Sequence, residues 1–247
     1  MRILVTNDDG IDSDGLAALA ERMSHLGEVM VVAPDGNRST AAHSMTLERP
    51  LRMTLVKKDW YAVDGTPSDC VHLALNGMLR EHRPELVACG INKGGNLGQD
   101  ITYSGTVMAA LEATIIGVPA FAVSIDARVD FEYSGASMVA DKVARYILTH
   151  GLPPDTLLNV NVPNVAADQL KGIVATVQGR RLYGDEIEEN VDPRGKKYYW
   201  IAGQEMGFVD IEGSDIMSVR DGYASVTPIH FILTDYVTFE KLKNVLW

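Results

Sequence analysis

The chain has 247 residues, 46% apolar and 22% charged, with 33 acidic against 22 basic residues for a formal net charge of −11. Such a length buries a core as one large domain or two small ones without disulfide staples, and two cysteines, Cys70 and Cys89, make no disulfide framework. The acidic excess argues against nucleic-acid polymers, which are held by clustered Lys and Arg, and the short apolar run Ile3-Leu4-Val5 before the first acids argues against export or membrane insertion, which leaves a reducing cytoplasm as the expected compartment.

Along the chain, β-branched runs alternate with helical periodicity. Ile3-Leu4-Val5 predicts a strand, and Leu16, Leu19, Ala20 and Met23 then recur on one helical face. Val29 to Ala33 predicts the next strand, stopped by Pro34. After a polar stretch, Thr66-Pro67-Ser68-Asp69 supplies an N-cap, a proline at the first helical position and an acid three residues after the cap, so a helix is expected to about Arg80. Leu86-Val87-Ala88-Cys89 predicts a strand ending at Gly90. A helix over Thr106 to Ile116, a strand over Ala120 to Ile125, a helix through Met138 to Ile147 and a strand over Leu157 to Val162 follow. Strand and helix in alternation predict an α/β fold, a mostly parallel Rossmann-like sheet with helices on both faces. From about Lys171 the texture changes to short extended pieces, Ile173 to Val177 and Tyr198 to Ile201, which suit hairpins. Residues 1–170 are therefore expected to form the core and 171–247 a C-terminal extension, with the acidic run Asp185-Glu186-Ile187-Glu188-Glu189 as a solvated loop.

In an open parallel sheet, ligands bind beyond the carboxyl ends of the strands. The first strand runs directly into Asn7-Asp8-Asp9-Gly10. Two adjacent carboxylates repel unless a cation neutralises them, and carboxylate oxygens suit Mg²⁺ and Mn²⁺; the competing reading is a turn in which one acid caps the following helix. The second strand leads into Asp35-Gly36-Asn37-Arg38-Ser39-Thr40, whose small polar side chains and arginine suit a hydroxyl ligand and a phosphate contact; His43, just beyond, receives no role. The third leads into a glycine-rich stretch from Gly90 to Gly98 and then into Ser104-Gly105-Thr106 at a helix start, where free amides and hydroxyls suit an anion. It is neither a Walker loop nor a dinucleotide fingerprint. Together these segments point to a divalent metal at Asp8 and Asp9, with phosphate held between it and the helix start at Thr106.

The ordered set of motifs resembles the survival protein E (SurE) family of metal-dependent 5′-nucleotidases. The set is Asn7-Asp8-Asp9-Gly10, Pro34-Asp35 with Asn37-Arg38-Ser39, Gly65-Thr66-Pro67, Gly90-Ile91-Asn92 with Asn96 and Gly98, Tyr103 to Val107, Asn159 to Pro163, Asp192 to Gly195 and Thr227-Pro228. The resemblance implies a Rossmann-like core with oligomerisation hairpins in the extension, exchanged between subunits to give a homodimer or homotetramer. It also implies hydrolysis of nucleoside 5′-monophosphates, extending in some members to 3′-nucleotides and polyphosphate. One divalent ion per subunit, Mg²⁺ or Mn²⁺, would be held by Asp8, Asp9, Ser39 and Asn92, with Asp8 and Asp9 as the catalytic acids and Asn96, Ser104, Gly105 and Thr106 on the phosphate. Cys89 stands where many members have serine and is expected to be a packing substitution.

Two other classes of function compete. A signalling receiver domain also places paired acids after its first strand, but it needs an aspartate where this chain has Gly90-Ile91-Asn92, and a lysine after the following strand, where this chain has Asp126-Ala127-Arg128. A nucleotide-binding regulator without catalysis would not need the full ligand set. No residue is assigned to the base, and direct attack by water and a phospho-aspartyl intermediate are both compatible with the acids.

Overall fold

The computed structural model describes residues 1–184, 186–201, 205–243 and 245. The apolar run after Met1 forms β1 (Arg2–Thr6), and the amphipathic segment after it forms α1 (Asp14–Ser24), burying Leu16, Leu19, Ala20 and Met23 as their spacing requires. Chain order continues with β2 (Glu28–Pro34), an antiparallel pair β3 (Met53–Lys57) and β4 (Trp60–Val63), α2 (Pro67–Leu73), β5 (Leu86–Lys93), α3 (Gly105–Ile116), β6 (Ala120–Asp126), α4 (Tyr133–His150) and β7 (Thr156–Pro163). The capping box at Thr66 forms as expected: Asp69 N–H donates to Thr66 Oγ1, and Thr66 N–H donates to Asp69 Oδ2 at 2.9 Å.

The extension contributes β8 (Ile173–Ala175), β9 (Arg181–Tyr183), β10 (Ile187–Val191), β11 (Lys197–Ile201), β12 (Glu205–Phe208), α5 (Asp215–Arg220), β13 (Ala224–His230) and α6 (Tyr236–Leu242). Among the described residues, nine strands form one sheet in the order β3-β4-β2-β1-β5-β6-β7-β13-β8. The run from β4 to β7 is parallel throughout, β13 is antiparallel to β7, and β9 and β12, like β10 and β11, make separate two-stranded antiparallel pairs. One face of the sheet packs on α1 and α4, through Ile3, Val5, Leu19, Val123 and Val139. The other packs on α2 and α3, through Leu4, Val87, Val71, Ala110 and Leu157. Both faces are covered, which is why the parallel strands are apolar runs without alternation. Among the described residues no helix is long and apolar enough to cross a membrane.

Three local expectations are corrected. The helix begun at Pro67 keeps α geometry only to Leu73 and continues as a π-turn over Ala74–Met78, so it stops short of Arg80. The strand expected to end at Gly90 runs on to Lys93 past an irregularity in its pairing with β6 between Cys89 and Asn92. Gly90 (φ +136) permits this, since a Cβ there would fall 2.3 Å from the Val123 carbonyl oxygen. Most of the acidic run is strand: Ile187 to Glu189 pair with Ile201 to Tyr199 in β10–β11, while Asp185 lies outside the described residues.

The sheet order reverses at β1, whose successor β2 lies on one side and β5 on the other. A crevice opens beyond the carboxyl ends at such a switch point. Helix α1 crosses close to the end of β5: a Cβ on Gly15 would lie 2.1 Å from the Ile91 carbonyl oxygen, one residue before Asn92. Gly15→Ala is therefore expected to force α1 off β5 and lower unfolding stability by about 3 kcal/mol, the upper part of the range for overpacking, as read from urea denaturation.

Candidate active site

Asp8 and Asp9 leave β1 in a turn that Asn7 closes, its Nδ2 donating to the Gly10 carbonyl at 3.1 Å and its Oδ1 accepting from Gly10 N–H at 3.2 Å. Asp8 is buried to 4% exposure, and its Oδ1 accepts a hydrogen bond from the Thr106 hydroxyl at the start of α3. Gly105 makes room for this contact, because a Cβ there would come 2.8 Å from Asp8 Cβ. Asp9 is half-buried and its Oδ2 accepts from Lys93 N–H, so the acid pair is tied to β5 and α3 at once. The loop after β2 is tied in by Arg38 N–H, which donates to the Asp8 carbonyl at 2.7 Å.

A cavity of about 350 Å³ opens at this point, with Asp8, Ser39, Asn92, Asn96 and Ser104 in its lining. Five residues predicted from three separate loops thus share one wall. Asp9 faces a neighbouring hollow bounded by Asp12, Asp35, Asn37 and Lys93. Gly105 and Thr106 lie behind the cavity and not in its lining: Thr106 is fully buried, and its hydroxyl is committed to Asp8. Ser104 caps α3 by accepting from Val107 N–H at 3.1 Å. Ser39 is exposed, and its hydroxyl donates to Asn37 Oδ1 at 2.6 Å.

Burial, with the charge of Asp9 adding to it, pushes Asp8 up to about 6 against the opposing hydrogen bonds from Thr106. Burial likewise raises Asp9, against the Lys93 amide and ammonium. A buried carboxylate next in sequence to a half-buried one, each pushed up by burial, suits a cation, and Asp8, Asp9, Ser39 and Asn92 offer only oxygen donors once the Asn92 amide nitrogen is spent on the Gly94 carbonyl at 2.8 Å. The donor set therefore fits Mg²⁺ or Mn²⁺. Among the described residues no cluster of three His, Cys, Asp or Glu side chains offers an alternative. Cys89 is fully buried in β5, where burial pushes its thiol up; its role is packing.

Several residues that position the site carried no assignment from sequence. Asn159 and Asn161 of β7 both donate to the Asn96 carbonyl, and Asn161 Oδ1 accepts from Asn96 N–H at 2.7 Å, while Asn96 Nδ2 donates to Ser124 Oγ. Their spacing was the available signal, since two amides at i and i+2 of an apolar strand point to one face. Asp215 of α5 is fully buried and accepts from the N–H groups of Gly98, Gly179 and Ile216, fastening the extension to the site loop. Glu112 of α3 lies between His43 Nε2 at 2.9 Å and His72 Nδ1 at 2.8 Å, holding the loop that carries Ser39 against α3 and α2.

A doubly wound α/β sheet with an acid pair at the crevice of its switch point defines a ligand-binding protein of the α/β class. The chain belongs to the SurE family: the model of Survival protein SurE matches residues 3–185. A protein of Geotalea uraniireducens named 5′-nucleotidase SurE is 52% identical over 245 residues, covering 99% of this chain and 98% of its own. One of Myxococcus xanthus with the same name is 52% identical over 244 residues, covering 98% and 92%. The crystal structure of the SurE protein from Aquifex aeolicus matches with a TM-score of 0.89 at 45% identity over 98% of each chain.

The hydrogen bond to His43, joined by that to His72, holds the Glu112 carboxyl below the ordinary glutamate value in spite of its burial. A depressed acid stabilises the fold above its unfolded pKa and loses that contribution as pH falls through the folded one. The stability gap between wild type and Glu112→Gln is thus expected to narrow from about pH 5 toward about pH 3 in thermal unfolding. A gap independent of pH over that window would remove the pairing account.

Proposed function

We propose that this chain is a divalent-metal-dependent phosphomonoesterase that hydrolyses nucleoside 5′-monophosphates to nucleoside and phosphate, a 5′-nucleotidase. The observation that carries this reading is the single cavity lined by Asp8, Ser39, Asn92, Asn96 and Ser104. The names of relatives about half identical over nearly the whole chain support it. The same phosphoryl-centred site accommodates 3′-nucleotides and short polyphosphate, the range the family resemblance implies.

Asp8, Asp9, Ser39 and Asn92 would hold the ion. When bound, it supplies positive charge to the phosphoryl oxygens and acidifies water. The chain's own part is orientation and proton transfer. Asn96, its main chain clamped by Asn159 and Asn161 and its Nδ2 bonded to Ser124, lines the cavity in a fixed position, and the second hydrogen of that amide would serve a phosphoryl oxygen. Ser104 accepts from the helix it caps, which leaves its hydroxyl proton for a phosphoryl oxygen. Thr106 and the dipole of α3 hold Asp8 in place, with Gly105 giving it room. Both acids would serve the cation, and in this reading Asp8, the one that lines the cavity, also accepts the proton of the attacking water.

We extend the proposal to assembly and compartment. Support for a homodimer or homotetramer comes from apolar surface that one chain leaves uncovered. Helix α6 buries no residue and exposes Tyr236, Val237 and Phe239, and Ile201 and Leu233 are each 93% exposed. An apolar groove of about 440 Å³ lined by Val143, Tyr146, Leu158, Ile173 and Val226 runs beside α4 and β13. For the cytoplasm, the support is that Cys70 and Cys89 are both buried and unpaired.

Phosphate release from a panel of nucleoside monophosphates with Mg²⁺ or Mn²⁺ tests the reading. Asp8→Asn, which removes a cation ligand together with the general base, is expected to lower kcat/KM by at least about 100-fold with an unfolding temperature near that of wild type, and chelation is expected to silence the wild type. Wild-type rates in excess chelator would rule out the metal-dependent mechanism.

A further inference from the structure

Beyond the wall that carries Gly94, Gly95, Asp100 and Tyr183, the cavity at Asp8 adjoins a second one of about 360 Å³. Asp126, Ala127, Arg128 and Arg181 complete its lining. The two hollows are neighbours through shared residues, so a ligand anchored at Asp8 by one end extends past Gly95 into the second. Gly95 itself keeps the passage low: a Cβ there would lie 2.6 Å from Asp126 Oδ1, so the carboxylate of Asp126 lies directly over the loop.

The chemistry of this second cavity differs from that of the first. Arg181 has a side chain only 9% exposed and pairs with Asp100 at 2.8 Å and, more loosely, with Asp126 at 3.9 Å. Tyr183 donates its hydroxyl to Asp100 Oδ1 at 2.6 Å, which anchors the phenol while the residue remains 46% exposed. The strand that carries both is bolted to the site loop, because Gln99 accepts from Arg181 N–H at 2.8 Å and donates to its carbonyl at 2.7 Å. The result is a rigid aromatic face standing beside two carboxylates, one short step from the phosphate cavity. Carboxylates accept from vicinal hydroxyls, as acids do from the ribose in dinucleotide-binding folds, and an immobilised aromatic face takes any base by stacking.

We propose that the nucleoside of the substrate occupies this second cavity, its base against the ring of Tyr183 and its ribose hydroxyls toward Asp100 and Asp126. The assignment rests on the phosphomonoesterase reading above and names the part of that substrate which the phosphate site does not touch. Because stacking tolerates every base, the subsite selects for a nucleoside and only weakly among nucleobases. The β9 strand of the extension thereby becomes a determinant of substrate choice.

The test is the ratio of kcat/KM for a nucleoside 5′-monophosphate to that for ribose 5-phosphate, which carries the same phosphate and sugar without a base. Tyr183→Ala is expected to reduce this ratio about tenfold, within the range that base–aromatic stacking contributes, chiefly through KM for the nucleotide; Tyr183→Phe, which keeps the ring, is expected to keep the ratio within about twofold. Should the alanine variant fail to fold, Asp126→Asn gives an independent reading: the preference for a ribonucleotide over its 2′-deoxy counterpart is expected to shrink severalfold. A ratio unaltered in Tyr183→Ala, or a ribo/deoxy preference unaltered in Asp126→Asn, would overturn the proposal while leaving the phosphatase reading intact. Absence of phosphate release from every nucleotide by the wild-type protein would overturn both.

Discussion

The hydrogen bond from the Thr106 hydroxyl to Asp8 joins the two halves of the site, and the rest of the architecture makes it possible. Asp8 leaves β1 at the point where the sheet order reverses, and Thr106 opens α3, the helix that follows β5 on the other side of that point. A carboxylate in such a place is expensive to keep charged, as its rise to about 6 records. Helix dipole, hydroxyl and a glycine without a side chain offset part of that cost, and a bound cation would offset the remainder. The acidic balance of the whole chain is thus compatible with a phosphate ligand, because the positive charge would come with the ion.

The glycine-rich loop between β5 and α3 is long enough to wander, yet its groups are anchored from three directions. Asn159 and Asn161 hold Asn96 from β7, Asp215 holds Gly98 from α5, and Gln99 is paired with β9. Each anchor is a polar group satisfied in a buried or half-buried setting, where an unmatched partner would be costly. Preorganisation of this kind is what phosphoryl chemistry asks of a protein, since positioning and electrostatics do most of the work. The extension is therefore a structural partner of the site loop, through α5 and β9, as well as the continuation of the sheet through β13 and β8.

The central strands were legible because strands buried on both faces are unbroken apolar runs, as in Val29 to Ala33 and Ala120 to Ile125. The pair β3–β4 was not, because Thr54 to Lys57 are exposed on an edge and carry little pattern. Strand β13 hides behind Pro228, which ordinarily argues against an interior strand. The structure resolves the conflict: β8 pairs only with Ala224 to Val226, so at Pro228 the strand has already become an edge on that side. In the site, the loop motifs named Asp8 and Ser104 because strand ends are where chemistry collects, while Asn92 and Asn96 were named only by the family resemblance. They could not name Asp215 or Glu112, whose roles depend on partners 117 and 69 residues away that only the folded chain brings together. Thr106 was legible as a site residue, but its duty toward Asp8 was not, since a helix-start threonine looks the same whether it faces an anion or a carboxylate.

In the proposed mechanism the acid pair holds a cation that in turn admits phosphate. Equilibrium binding of Mn²⁺ and of inorganic phosphate to the wild type and to Asp8→Asn, followed by calorimetry, tests this without reference to turnover. The expected result is one Mn²⁺ per chain in the wild type, phosphate binding that appears only when Mn²⁺ is present, and the loss of both in Asp8→Asn. Phosphate binding of equal strength with and without the metal would contradict the account at its base.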